Sequence, residues 1–176
     1  SILLVQLEVN FGALYRAIDI AHAAGVRIVL NPAPAAEIPP EVLKKIDIVT
    51  PNETEAQVLT GIEVKTQQDA ERAAKVFFDK GVKNVVITMG ALGAFASDGQ
   101  KSELLPRLKV DAIDSTGAGD AFNGGFLMAL SEGKDLFTAL RYGNATGALS
   151  VTKLGTAPAM PHRAEIDAMV KENYGI

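Results

Sequence analysis

Short, nearly unbroken apolar runs recur along this chain at Ile2–Leu7, Arg27–Leu30, Ile48-Val49 and Val85–Thr88. Runs of that length without a polar face suit strands buried on both sides of a sheet. The segments between them have helical spacing instead. Asn10 is a fitting N-cap for a helix through Ala24, with Leu14, Ala17, Ile18 and Ala21 on one face and Gly25 ending it. Thr66, followed by Asp69, starts a helix in capping-box fashion. Ala70, Ala73, Ala74, Phe77 and Phe78 then form its apolar stripe, and Gly81 closes it.

Asn31-Pro32-Ala33-Pro34-Ala35 reads as a loop, because its prolines exclude ladder pairing and helix alike. A short helix near Pro40–Lys45 precedes the strand Ile48-Val49, and Thr50–Glu55 leads into a helix that runs to Thr60 and stops at Gly61. Met89–Gly93 turns the chain, and Ala94–Ser97 and Ser102–Leu105 pair as a hairpin around Asp98-Gly99. Helices follow over Ala121–Leu130, about Leu136–Val151 and Glu165–Tyr174, with a Gly/Pro-rich loop at Leu154–Pro161. Strand and helix alternate, so the expected fold is α/β: three layers, α/β/α, around a mostly parallel sheet with right-handed crossovers. Ligands in such folds bind beyond the carboxyl ends of the strands. Glu8, Asn31, Asn52, Glu55, Thr88 and Gly90 all follow strand ends, which places them on one rim.

Composition narrows the class. A chain of 176 residues, 48% apolar and 22% charged, fits one domain with a sizeable core, spanning 1–176. A net charge of −4 without a Lys/Arg cluster argues against a nucleic-acid surface. The absence of cysteine excludes disulfides and thiolate metal sites. No segment has the apolar length of a membrane span, and no signal-peptide pattern precedes Ile2, so the expected location is cytoplasmic. The chain opens on Ser1 and enters strand-like sequence at once, as a piece of a longer protein would.

The densest chemistry lies in Asp114-Ser115-Thr116-Gly117-Ala118-Gly119-Asp120, just before the apolar run Ala121–Leu130. Gly117 and Gly119 flank Ala118, which lets a ligand approach the backbone. The helix that follows directs its free N–H groups and positive dipole end at Gly117–Asp120, a site for phosphate. Asp120 adds a carboxylate able to take a proton, and the pair makes a phosphoryl-transfer arrangement. A capped glycine-rich turn is the plainer alternative. The stretch is not a Walker A loop, since no Gly-Lys-Ser/Thr follows, and Phe122 stands where G-x-G-x-x-G needs its third glycine.

Other positions carry two readings each. Asn52 and Glu55 share a face at a helix start, either as cap and first-turn acid or as a metal–phosphate site that holds Mg²⁺ through water. Thr88–Gly93 is either a tight turn or a nucleotide loop. Glu8 is either a strand-end surface acid or a ligand for substrate hydroxyls, since an unpaired carboxylate at the end of an apolar strand would be expensive. His22 and His162 lack metal-ligand spacing and read as structural, and Met128 and the phenylalanines read as core.

Taken together, these motifs resemble the ribokinase-type (PfkB) carbohydrate kinase family. Asp114–Asp120 is similar to its second signature, and Thr50-Pro51-Asn52-Glu53-Thr54-Glu55-Ala56 to its Asn-x-x-Glu motif. Val5-Gln6-Leu7-Glu8 and Leu30–Ala35 add to the likeness, which runs in order from Ile2 to the last helix. The resemblance implies ATP-dependent phosphorylation of a sugar hydroxyl, with D-ribose the favoured sugar. It implies Asp120 as general base and the backbone N–H groups of Gly117, Ala118 and Gly119 as an anion hole for the transferring phosphoryl group. Asn52 and Glu55 would position Mg²⁺ and the nucleotide phosphates. Thr88, Gly90 and Gly93 would line the nucleotide site, with Asn144 near adenine or ribose, and Glu8 would bind sugar hydroxyls. An activating K⁺ site would fall on Asp114, Thr116, Ser150, Lys153, Gly155 and Ala159.

The family's N-terminal region, with most sugar contacts and a β-lid, has no counterpart in this sequence. That leaves sheet edge exposed and a route to homo-oligomers open. Two alternatives stand beside the ribose kinase: a non-catalytic nucleotide-binding module, and a related kinase for fructose, a phosphosugar or a nucleoside.

Overall fold

The computed structural model describes residues 1–176, in the order β1 (Ile2–Val5), α1 (Phe11–Ala23), β2 (Arg27–Leu30), α2 (Pro40–Leu43), β3 (Ile48–Val49), α3 (Glu53–Thr60), α4 (Gln67–Asp79), β4 (Asn84–Thr88), β5 (Ala94–Ser97), β6 (Ser102–Leu105), α5 (Ala118–Ser131), α6 (Leu136–Ser150) and α7 (Arg163–Tyr174). The chain divides into two compact units, Ser1–Gly90 with Phe95–Leu104, and Ala91–Ala94 with Leu105–Ile176.

The first unit carries the sheet, whose strands lie side by side in chain order from β1 to β6. β1 to β4 are parallel neighbours, in register from Ile2 opposite Arg27 to Val49 opposite Val85. The expected mostly parallel α/β fold is therefore present. Ile28, Leu30, Val49, Val85, Ile87 and Phe95 from the strands form one buried cluster with Ile18 of α1 and Ala70, Ala73, Ala74 and Phe77 of α4. The stripe read for α4 is thus its core face, with Phe78 packed at the margin.

Local signals set most boundaries. Asn10 Oδ1 accepts from Ala13 N at 3.1 Å, and Thr66 and Asp69 form the expected reciprocal cap. Gly61 caps α3 at φ 75°, a left-handed conformation that glycine adopts without a Cβ penalty. Asp98 Oδ1 accepts from the N–H groups of Gln100 and Lys101 and so builds the turn between β5 and β6.

Four expectations need correction. β1 ends at Val5, because Leu7 turns away to donate its N–H to Ala33 O at 3.0 Å. Ala17 is exposed, so the buried stripe of α1 is Leu14, Ile18 and Ala21. Phe11 is 41% exposed rather than core, and it stacks on Tyr15. α5 begins at Ala118, ahead of the apolar run, because Gly117 supplies the turn at its start.

In the second unit, α5 and α6 pack so closely that two glycines have no room for a side chain. A Cβ on Gly125 would lie 2.0 Å from Thr146 Oγ1, and one on Gly143 would lie 2.9 Å from the Phe122 ring. Phe122 and Phe126 stack 6.0 Å apart between ring centroids. Arg163, at the start of α7, pairs with Glu132 beyond the end of α5 and with Asp167 one turn further along α7. The N-terminal end of α5 is therefore presented by a firmly packed pair of helices.

Candidate active site

The start of α5 presents backbone donors that no side chain caps. Gly117 is its N-cap at φ 75°. The Ala118 N–H is committed to Ser115 O at 3.1 Å, and the Ala121 N–H to Gly117 O at 2.9 Å. That leaves the N–H groups of Gly117, Gly119 and Asp120 without backbone acceptors. Ala118, one of the donors expected from sequence, is therefore already used, while the Asp120 N–H, at the end of the expected stretch, is free. A Cβ on Gly119 would meet nothing within 4 Å, so the protein's own packing does not require glycine there. Gly117 differs: its positive φ and Thr156 Cγ2, 3.3 Å from a built Cβ, both favour glycine. The Asp120 carboxylate, in the first turn of α5, is exposed.

Asp114 closes the loop behind this helix start. Its Oδ1 accepts from Thr116 N at 2.9 Å and its Oδ2 from Gly155 N at 3.0 Å. Hydrogen bonds from Thr116, then from Gly155, hold its carboxyl below the usual carboxylate range. The charged acid thus joins the loop before α5 to the loop after α6. Of the other positions tied to a monovalent cation, Ser150 and Ala159 are buried, and Ser150 Oγ donates to Gly147 O. Lys153 directs its ammonium to Glu165 Oε1 at 3.2 Å, so it has only a carbonyl to offer a cation. One ionised carboxylate with backbone carbonyls from these positions would make an all-oxygen donor set, a chemistry that fits K⁺.

The first unit carries the rest. Asn52 Oδ1 accepts from Glu55 N at 2.8 Å, and Glu55 Oε2 accepts from Asn52 N at 2.9 Å, so the capping reading of the pair is correct as far as it goes. Each side chain keeps a second polar atom outside this exchange. Burial pushes the Glu55 carboxyl up, opposed by the Asn52 N–H and reinforced by the Glu53 charge. A half-buried carboxylate, less well solvated as an anion than one in water, welcomes a cation. One Asn and one Glu with free oxygen or amide atoms could hold Mg²⁺ together with water and nucleotide phosphates, the usual manner of binding this ion.

Thr88 ends β4 and bridges to Asn52, which places both at one rim. Gly90, at φ 47°, begins a 3-10 turn through Leu92, and a Cβ there would approach Glu53 Oε1 to 3.2 Å. Gly93 is buried at φ 107°, and a Cβ would fall 2.0 Å from Leu105 O, so this glycine is required by backbone packing. Asn144 is 8% exposed, and its amide donates to Pro106 O at 2.9 Å and Tyr174 Oη at 2.8 Å, which leaves only its carbonyl for a ligand. Glu8 is exposed beyond β1, so the desolvation penalty expected from its apolar flank does not arise.

Sequence reading missed Asn31 and Gln6 as working side chains. Gln6 Nε2 donates to Asn31 Oδ1 at 3.1 Å, and Asn31 Nδ2 donates to Thr50 O at 2.9 Å. The signals were the place of Asn31 on the rim and the family-like stretches Val5–Glu8 and Leu30–Ala35 in which Gln6 and Asn31 lie.

Residues 3–163 match the model of the pfkB family of carbohydrate kinases. The chain belongs to this family. It is similar to a ribokinase of Haemophilus influenzae, 51% identical over 93% of this chain and 53% of that protein. A deoxyribokinase of Salmonella typhi is 37% identical over 92% of the chain and 53% of its own length. Among solved structures, Arabidopsis thaliana ribokinase complexed with ribose and ATP superposes with a TM-score of 0.91, at 32% identity, over 97% of this chain and 55% of that one. The chain spans about half the length of the curated relatives it matches. No helix is long and apolar enough to cross a membrane.

Proposed function

We propose that the protein containing this chain transfers the γ-phosphoryl group of ATP to a sugar hydroxyl, with D-ribose giving D-ribose 5-phosphate and ADP. The observation that carries this reading is the start of α5, where N–H groups of Gly117, Gly119 and Asp120 lack acceptors beside an exposed carboxylate. Asp120 takes the proton of the attacking hydroxyl as that oxygen bonds to the γ-phosphorus and the bond to the ADP oxygen breaks. The N–H groups and the α5 dipole stabilise charge on the transferring group without reorganising. Asn52 and Glu55 hold Mg²⁺, which neutralises phosphate charge when bound, and Thr88 and Gly90 line the nucleotide beside them. Gly93 and Asn144 belong to the nucleotide site through the backbone they hold in place. Glu8, free in solvent, binds sugar hydroxyls.

Asp114, Thr116, Ser150, Lys153, Gly155 and Ala159 would hold K⁺, which would supply positive charge at the loop before α5.

Asp120→Asn keeps the shape and the first-turn N–H but removes the base. Turnover of ATP and ribose should fall by about 10²–10⁴-fold with nucleotide affinity retained. Turnover near that of wild type would refute the assignment.

A further inference from the structure

The peptide plane between Thr50 and Pro51 is unusual in having a single hydrogen-bonding handle. Proline has no N–H, so that plane offers only the Thr50 carbonyl. The donor to this carbonyl is a side chain, Asn31 Nδ2, at 2.9 Å. The next plane, between Pro51 and Asn52, is held at both ends: Thr88 N donates to Pro51 O at 3.0 Å, and Asn52 N donates to Glu55 Oε2 at 2.9 Å. Asn31 is itself fixed. It is 8% exposed, its N–H donates to Val5 O, its carbonyl accepts from Ala33 N, and its Oδ1 accepts from Gln6 at 3.1 Å.

We infer that Asn31 is a positioning residue for the metal–nucleotide pair Asn52 and Glu55, acting through the Thr50 carbonyl. The inference rests on the reading of that pair given above. The Asn31 carboxamide links residues that follow β1, β2 and β3, and so sets where the chain leaves β3. Pro51 fixes its own φ, so a rotation of the plane before it carries into Asn52 rather than dissipating. Asn52 is the N-cap of α3, and its shift would move the carboxylate of Glu55 with it. The effect is that of an outer partner that orients a metal ligand, and loss of such a partner weakens metal affinity by about 10–100-fold.

The test is titration calorimetry of ATP into this chain, with Mg²⁺ and with EDTA, on wild type and two variants. Asn31→Ala removes both bonds. Asn31→Asp keeps the size and the bond from Gln6 but cannot donate to Thr50 O. Both variants should lose about 10–100-fold in Mg²⁺-dependent ATP affinity and change little in EDTA. Measurements are made below each variant's unfolding midpoint, so that a merely structural loss lowers the midpoint without altering the metal dependence. Wild-type metal dependence in Asn31→Asp, or equal losses with and without Mg²⁺, would overturn the inference alone. A wild-type chain with no Mg²⁺-dependent ATP binding would overturn the nucleotide reading of Asn52 and Glu55, and the inference with it.

Discussion

Gly119→Ala separates a glycine kept for a ligand from one kept for packing. Gly119 lies in the first turn of α5, and a Cβ there meets no heavy atom within 4 Å. Its φ lies outside the left-handed range, so alanine takes the backbone without strain. Helix propensity then predicts a gain of about 0.5–1 kcal/mol, or about 1–4 °C in midpoint for a chain of this size. In a helix each Cα–Cβ bond leans toward the N-terminus, so the new methyl leans toward the end where the free N–H groups point. Crowding an anion there by about 1–3 kcal/mol corresponds to a loss of about 5–150-fold in turnover. Thermal unfolding by circular dichroism gives the first quantity, and ADP formation from ATP and ribose gives the second. A midpoint lowered by several degrees would refute the open-space argument. Unchanged turnover would refute the cradle.

Gly125→Ala should do the reverse, since its Cβ would fall 2.0 Å from Thr146 Oγ1: a loss of about 1–3 kcal/mol, read as a lower unfolding midpoint. Thr50→Val removes a buried hydroxyl that has no partner, so chemical denaturation should show a gain of about 1 kcal/mol with the Thr50 carbonyl contact intact. Glu55→Gln has a pH signature. The Glu55 carboxyl is raised from 4.5 by burial, so its ionised form opposes folding above that value and the penalty fades as pH falls through it. The variant should therefore unfold at higher temperature than wild type at pH 7, the difference should shrink toward acid, and its Mg²⁺ requirement should rise. An equal difference at every pH would contradict the burial argument.

Local patterns explain why much of the site could be read before any coordinates. The caps at Asn52 and Thr66, the stop at Gly61 and the strand Arg27–Leu30 each depend on residues a few positions apart. The glycine-flanked start of α5 is equally local, and so is the carboxylate of Asp120 in its first turn. Where the local reading went astray, a distant partner intervened: Leu7 leaves the strand to reach Ala33. The packing of Gly93 against Leu105 O was likewise outside what its local turn could show.

The sequence by itself therefore determined the element order, the family and the glycine-flanked helix start with its carboxylate, because periodicity, capping and turn chemistry are short-range. Tertiary structure alone decided which N–H groups at that start remain free, and that Asp114 clasps Gly155 across a separation of 41 residues. It also decided that Asn31 reaches Thr50 and that Gly125 meets Thr146. Such contacts depend on how strands and helices register in space, and no spacing along the chain encodes that register.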